Sequence, residues 1–298
     1  MMKQKVFIII LNWNRKDLTV ECIQSLKKVK AHGLDIHTVI VDNHSSDDSI
    51  STFKQFPHIT TLVNKSNLGY AEGNNVGIKF AMRHNADIIL LLNNDVLVTP
   101  NILIRLLSVI NSDEKIGIVG PMTYYTDKKK IIADAGGIIM KHRYFGVNRG
   151  QKEKDKGQFD KISEVDFISG SAMLIKSSVF KKIGLLDGRF FLYYEDADLC
   201  FRAKKAGFKS VFVPETVIYH TFGATSGIGS AIHHYYTTRN HYLFVEKHAP
   251  ITVKVKEFLR MPKTIWEFMK STDKAKKKYS LLGIRDYYLR HFEKGNFH

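Results

Sequence analysis

A chain of 298 residues can bury one large core or two small ones, and its 44% hydrophobic and 25% charged content is that of an ordinary globular protein. Lys and Arg outnumber Asp and Glu by 45 to 29, a formal charge of +16, which calls for polyanionic company: nucleic acid, anionic lipid or phosphorylated substrates. Cys22 and Cys200 are the only cysteines and form no CxxC pair, so neither a disulfide framework nor a zinc site is expected, and each reads as a buried free thiol.

The first third alternates strand and helix. Val6–Leu11 reads as a strand too short for a signal peptide, Asp17–Lys28 as a helix, and His37–Val41 as a strand ending at Asp42. A helix around Asp48–Phe56, a strand near Thr60–Asn64, a Gly-rich loop over Asn67–Gly77 and a helix through Gly77–Arg83 follow. The branched-aliphatic run Ile88–Leu92 then predicts a strand buried on both faces. Such repeats predict a mostly parallel sheet with helices on both sides. Asn101–Asn111 reads as a helix with Thr99 as its cap and Pro100 at its first position, and Ile116–Val119 as a strand. Ile131–Val147, with Gly136-Gly137, is consistent with a hairpin, and polar Gln151–Lys161 with an exposed, mobile loop. A strand at Ala172–Lys176, a short helix to Ile183, a helix from Asp196 to Ala206 and strands at Val211–Val213 and Thr216–Tyr219 come next, and beyond Ala231 the pattern is helical. The expected organisation is one α/β domain over residues 1–245, its nucleotide-binding part about 1–100, with a basic helical extension over 246–298.

Asn93-Asn94-Asp95 closes the Ile88–Leu92 strand and so sits at the carboxyl edge of the sheet, where open α/β sheets bind ligands. A carboxylate there suits a hard divalent cation shared with phosphate oxygens. Asp42 ends the second strand; it can accept from a base N–H or a ribose hydroxyl, or merely shape a turn with Ser45 and Ser46. The glycines of Asn67–Gly77, including Gly69 and the neighbouring Asn74, allow close approach of backbone to a ligand, but no Gly-Lys-Ser/Thr makes this a P-loop. Glu195, Asp196 and Asp198 crowd three carboxylates into four positions. Asp198 pairs by spacing with Arg202, whereas Glu195 and Asp196, at the helix start behind Tyr193-Tyr194, suit proton transfer. His220 ends another strand before the Gly/Ser/Thr loop Thr221–Gly227, which can fold over a ligand, and Arg239-Asn240 lies in a helix rich in Tyr and His.

In this order the elements resemble a family 2 glycosyltransferase with the A-type nucleotide-sugar fold, in particular its rhamnosyltransferase-like branch. The resemblance rests on Ile9–Asn14, Val41-Asp42-Asn43, Asn67–Gly77, Leu92–Asp95, Ser169-Gly170-Ser171-Ala172, Phe191–Asp196 and His220 with its loop. It implies that Asp42 holds the base, that Leu11, Asn12 and Trp13 line the nucleotide pocket with Asn67, Gly69 and Asn74, and that Asn94 meets the ribose or sugar. It implies Asp95 and His220 at a manganese or magnesium ion on the diphosphate, Ser169 and Gly170 on the acceptor side, and Arg239 against the leaving group. Asp196 would be the general base, with Glu195 beside it, in a single displacement that inverts the anomeric configuration. The donor would be dTDP-rhamnose or a UDP-sugar, and the acceptor a glycan or lipid-linked hydroxyl in surface-polysaccharide synthesis. The usual metal motif carries two aspartates, whereas here position 93 is Asn. The Gln-x-x-Arg-Trp motif of processive members is missing, which implies transfer of a single sugar.

A sugar nucleotidyltransferase would carry a Gly-rich loop with a basic residue after the first strand, where this chain has Asn12-Trp13-Asn14. A nucleic-acid-binding protein would explain the charge, but the lysines are not interleaved with a binding motif. No apolar stretch approaches the roughly 20 residues of a membrane span, so a cytoplasmic protein is expected. Its segment Ile251–Phe268 mixes apolar residues with Lys254, Lys256, Arg260 and Lys263. That composition fits contact with the inner face of the membrane, or packing on the domain or on a second subunit.

Overall fold

The computed structural model describes residues 3–221 and 229–295. Its first half runs β1 (Gln4–Asn12), α1 (Lys16–Leu26), β2 (Leu34–Asp42), α2 (Ser49–Phe53), β3 (Ile59–Val63), α3 (Gly69–Arg83) and β4 (Ile88–Asn93). β1 lies between β2 and β4 and β3 flanks β2, all in parallel. Alternate side chains sort to two cores. Phe7, Ile9, Val39, Val41, Ile89 and Leu91 join one with α3, while Val6, Ile8, Ile10, Ile40, Leu90 and Leu92 join the other with α1. A strand covered on both faces has no polar side to show, which explains the unbroken aliphatic runs.

The chain continues as β5 (Val96–Val98), α4 (Ile102–Ile110), β6 (Ile116–Tyr125), β7 (Lys128–Asp134), β8 (Gly137–Met140), β9 (Phe145–Asn148), β10 (Ser163–Val165), β11 (Ala172–Lys176), α5 (Ser177–Ile183), a 3₁₀ turn (Gly188–Phe190), α6 (Glu195–Lys205) and β12 (Lys209–His220). The main sheet has the order β10-β12-β6-β11-β4-β1-β2-β3, with β5 on β12 and β7 on β6. Its long ladders, β1–β2 and β6–β12, are parallel, as expected of a mostly parallel sheet. β11 runs antiparallel to both β4 and β6 and joins the two parallel groups. Helices α7 (Ala231–His248), α8 (Ile251–Met269) and α9 (Lys274–Tyr288) complete the fold.

The glycines of 67–77 all belong to α3, which begins at Gly69 rather than Gly77. Thr99 caps nothing: its hydroxyl donates to Val217 O, and α4 begins only at Ile102, two residues beyond Pro100. Gly136-Gly137 is the junction between β7 and β8, and the hairpin is β8–β9, turning at 141–144. The two strands expected around Val211 and Thr216 form one, β12, with a register break between Val213 and Val217. Residues 151–161 are exposed but tied to the sheet, where Ile132 N donates to Glu153 O and Asp155 N to Lys130 O. Both cysteines are buried free thiols, Cys22 in α1 and Cys200 in α6.

Candidate active site

The sheet register assembles the site. Strand β4 delivers Asn93–Asp95 to the carboxyl edge, and pairing of His220 with Val96 in the β5–β12 ladder sets that imidazole beside Asp95. His220 Nε2 lies 3.0 Å from Asp95 Oδ1. Asn93 N donates to Ser171 O, which brings the Ser169–Ser171 turn to the same edge. Gly170 N then donates to Asp196 Oδ2 at 3.0 Å, while Tyr70 Oη donates to Gly170 O at 2.6 Å. A Cβ at Gly170 would meet the Tyr70 hydroxyl at 2.7 Å, so a larger residue here would have to displace that hydroxyl. These groups share a cleft of about 740 Å³, the size of a small-molecule site.

Asp196 stands in the first turn of α6, and its Oδ1 accepts from Ala197 N at 2.7 Å. Burial raises its carboxyl above the usual range, and the N–H groups of Gly170 and Ala197 pull the other way. Glu195 is pushed well above that range by burial first and the Asp196 charge second, and its buried Oε2 has no hydrogen-bond partner among the described residues. Both carboxyls are thus raised, Glu195 more strongly than Asp196, whose oxygens accept from Gly170 N and Ala197 N. Two such environments side by side are what acid–base chemistry requires.

The segment before the pair is strained. Phe191, Tyr193 and Tyr194 have φ of 61°, 69° and 76°, the left-handed region that costs non-glycine residues about 1–3 kcal/mol each. Helix α7 holds them there. Asn240 Nδ2 donates to the carbonyls of Phe190, Leu192 and Tyr193, and Arg239 Nη2 to those of Arg189 and Phe190. Below it, Asp198 is fully buried and accepts from Arg202 Nε, with Lys247 Nζ and His248 Nε2 also at its carboxylate. Burial alone would raise Asp198, but His248, Arg202 and Lys247 hold it low. The i,i+4 pair expected with Arg202 is present and belongs to a larger lock between α6 and α7.

Leu11, Trp13, Asn67, Gly69, Asn94, Asp95, Ser169, Gly170, Glu195, Asp196 and His220 all line the cleft. Asp42, Asn12, Asn74 and Arg239 do not. Asp42 is fully buried: its Oδ2 accepts from Asn12 Nδ2 and Ser45 Oγ, and its Oδ1 from Ser45 N. Asn12 also accepts from Thr19 Oγ1, and Asn74 donates to Tyr70 O, so these amides brace the wall from behind. Arg239 is fully buried and spent on carbonyls, which corrects its placement against the leaving group. Asn43, Tyr70, His233, Tyr236 and Lys294 also line the cleft and were not expected there. Asn43 was legible as the residue just past β2 and Tyr70 as part of the 67–77 segment; the others come from positions that only tertiary folding unites. Of the loop Thr221–Gly227, all but Thr221 lies outside the described residues.

Fold and cleft together are those of a glycosyl-transferring enzyme. The chain belongs to the glycosyltransferase-like family 2, whose model matches residues 4–233. It is similar to the dTDP-rhamnosyl transferase RfbF of Shigella flexneri, 25% identical over 272 residues covering 86% of this chain and 85% of that one. It also resembles the N-acetylglucosaminyl-diphospho-decaprenol L-rhamnosyltransferase of Mycobacterium tuberculosis, 26% identical over 228 residues, 70% of this chain and 74% of that one. Among solved structures, GalNAc-T7 with UDP, GalNAc and Mn2+ superposes with a TM-score of 0.67 at 13% identity. That match covers 97% of this chain but only 56% of GalNAc-T7, so it bears on the fold alone.

Proposed function

We propose that the protein is an inverting transferase that moves one sugar from a nucleoside-diphosphate sugar, dTDP-rhamnose or a UDP-sugar, to a hydroxyl of a glycan or lipid-linked acceptor in surface-polysaccharide synthesis. The observation that carries this reading is the convergence of Asp196 and the Asp95–His220 pair on one cleft. The rhamnosyltransferase relatives favour the donor class. Asp196 takes the proton of the acceptor hydroxyl as its oxygen attacks the anomeric carbon, and the bond to the nucleoside diphosphate breaks on the opposite side. Trp13, Asn43 and Asn67 face the nucleotide, with Asp42 fixing their wall through Asn12 and Ser45.

Among the described residues no three His, Cys, Asp or Glu side chains form a metal cluster. Asp95 and His220 are two donors 3.0 Å apart. This set fits a cation that completes its shell with phosphate oxygens and water, as magnesium and manganese do. Asp95 and His220 would hold such an ion, which when bound supplies charge to stabilise the diphosphate. Nucleoside diphosphate release from a panel of nucleotide sugars, with and without manganese, tests both parts. Acceptor-dependent release that falls at least about tenfold on chelation is expected. No release from any donor would sink the reading, and full activity after chelation would sink its metal component.

Helix α8 supports a membrane-facing role. Among the described residues no helix is long and apolar enough to cross a membrane. Yet Ile251, Val255, Phe258, Leu259, Trp266 and Met269 are 48–71% exposed, and at 3.6 residues per turn they share roughly a third of the helix surface. Lys256, Arg260, Lys263 and Lys270 flank that stripe. Exposed apolar and cationic sectors side by side fit an anionic lipid surface. Wild type should co-sediment with phosphatidylglycerol vesicles, and a variant carrying Phe258→Glu, Leu259→Glu and Trp266→Glu should not. Equal sedimentation of the two, or a dimer that the same variant dissociates without any vesicle binding, would reject the membrane assignment.

A further inference from the structure

With Arg239 occupied by carbonyls, the cleft needs another cation. Its wall carries the carboxylates of Asp95 and Asp196, and an entering diphosphate meets like charge unless something opposes it. Among the described residues that line the cleft, Lys294 is the one Lys or Arg, and the other basic groups are the imidazoles of His220 and His233. Burial lowers the proton affinity of His233, with the neighbouring His234 adding to the effect.

Lys294 is far in sequence from every other lining residue, and its backbone is fixed on both sides. Arg239 Nη1 donates to Glu293 O at 3.0 Å, and buried Gly295 N donates to Tyr236 Oη at 2.9 Å. Phe292 packs near the Arg239 and Arg290 guanidinium groups, at 5.8 and 4.9 Å. Tyr236, which anchors Gly295, stacks on Phe191 of the strained segment at 5.1 Å. The side chain of Lys294 stays exposed at the cleft, so it remains available to a ligand while its main chain is held.

We propose that residues 291–295 form a strap that presents Lys294 to the donor diphosphate, and that Arg239 acts on the reaction by holding this strap. The proposal rests on the transferase reading above. When the anomeric C–O bond breaks, its electron pair goes to the departing phosphate oxygen and the acceptor proton to Asp196. Lys294 keeps its proton and gives a charge-assisted hydrogen bond to the diphosphate.

Titration calorimetry with UDP, dTDP and the free nucleosides, on wild type, Lys294→Gln and Lys294→Arg, tests it beside steady-state kinetics. Lys294→Gln should weaken diphosphate binding about 10–100-fold, leave the nucleosides unchanged and lower kcat, and Lys294→Arg should restore most of both. Unchanged diphosphate affinity in Lys294→Gln would overturn the proposal. So would a defect confined to the KM of a lipid-diphosphate acceptor and absent with an acceptor lacking phosphate, because the cation would then serve the acceptor. Failure of the transferase reading looks different: wild type would release no nucleoside diphosphate from any donor.

Discussion

Asp196→Asn will lower sugar transfer by about 10²–10⁴-fold while leaving nucleoside diphosphate binding close to wild type. A positioned general base contributes about 10²–10⁴ in rate, and the amide keeps the shape and one acceptor oxygen of the carboxylate. The hydrogen bond from Gly170 N to Oδ2 can therefore survive, and with it the Ser169–Ser171 turn. What disappears is the ability to take a proton. The wild-type pH profile sharpens the test. Burial holds Asp196 above the usual carboxylate range, and a base works only when ionised, so kcat/KM should fall as pH drops through that raised value. The residual activity of Asp196→Asn should lack this limb. Full activity in the variant would show that another group takes the proton, and Glu195 would be next in line, though burial and the Asp196 charge favour its protonated form.

The parts of this enzyme legible from sequence were those written in local pattern. Aliphatic runs marked the parallel strands because both their faces are buried, and residues ending those strands reached the cleft because a sheet edge is one place in space. Asp95 and His220 reach it in this way, whereas Ser169 and Gly170 came only from the family resemblance. Asp42 and Arg239 show the limit of the same logic. Position in a motif does not say whether a polar side chain points into the cleft or behind its wall, and the hydrogen-bond partners that decide it, Ser45 for Asp42 and the carbonyls of 189–190 for Arg239, follow from packing. The antiparallel β11 was equally hidden, since a short apolar strand carries no mark of its direction. Lys294 belongs to a run without secondary structure, and only the return of the chain over α7 gives it meaning.

Arg239→Ala will cost the protein about 2–5 kcal/mol of stability, the sum of buried carbonyls left without a donor at about 1–3 kcal/mol each. The side chain is fully buried, and its loss takes a donor from the carbonyls of Arg189, Phe190 and Glu293, of which Phe190 O keeps Asn240. Its stacking against Tyr235 and Tyr236 goes too. Arg239→Lys is no rescue, because a single ammonium cannot reproduce a planar fork that spans the 189–190 turn and the 291–293 segment. The urea midpoint should drop for both variants with an unchanged slope, and a wild-type midpoint in Arg239→Ala would refute the account. In the milder Arg239→Lys, protein that remains folded should lose activity in a particular way. Freeing the 189–190 carbonyls relaxes the strained segment that aims Asp196, which lowers kcat. Freeing Glu293 O loosens Lys294, which weakens diphosphate binding. If Arg239 acts through Lys294, the effects of Arg239→Lys and Lys294→Gln on diphosphate affinity will not add, because the second substitution removes what the first displaces. Their effects on kcat will combine more fully, since the aim of Asp196 depends on Arg239 and not on the lysine.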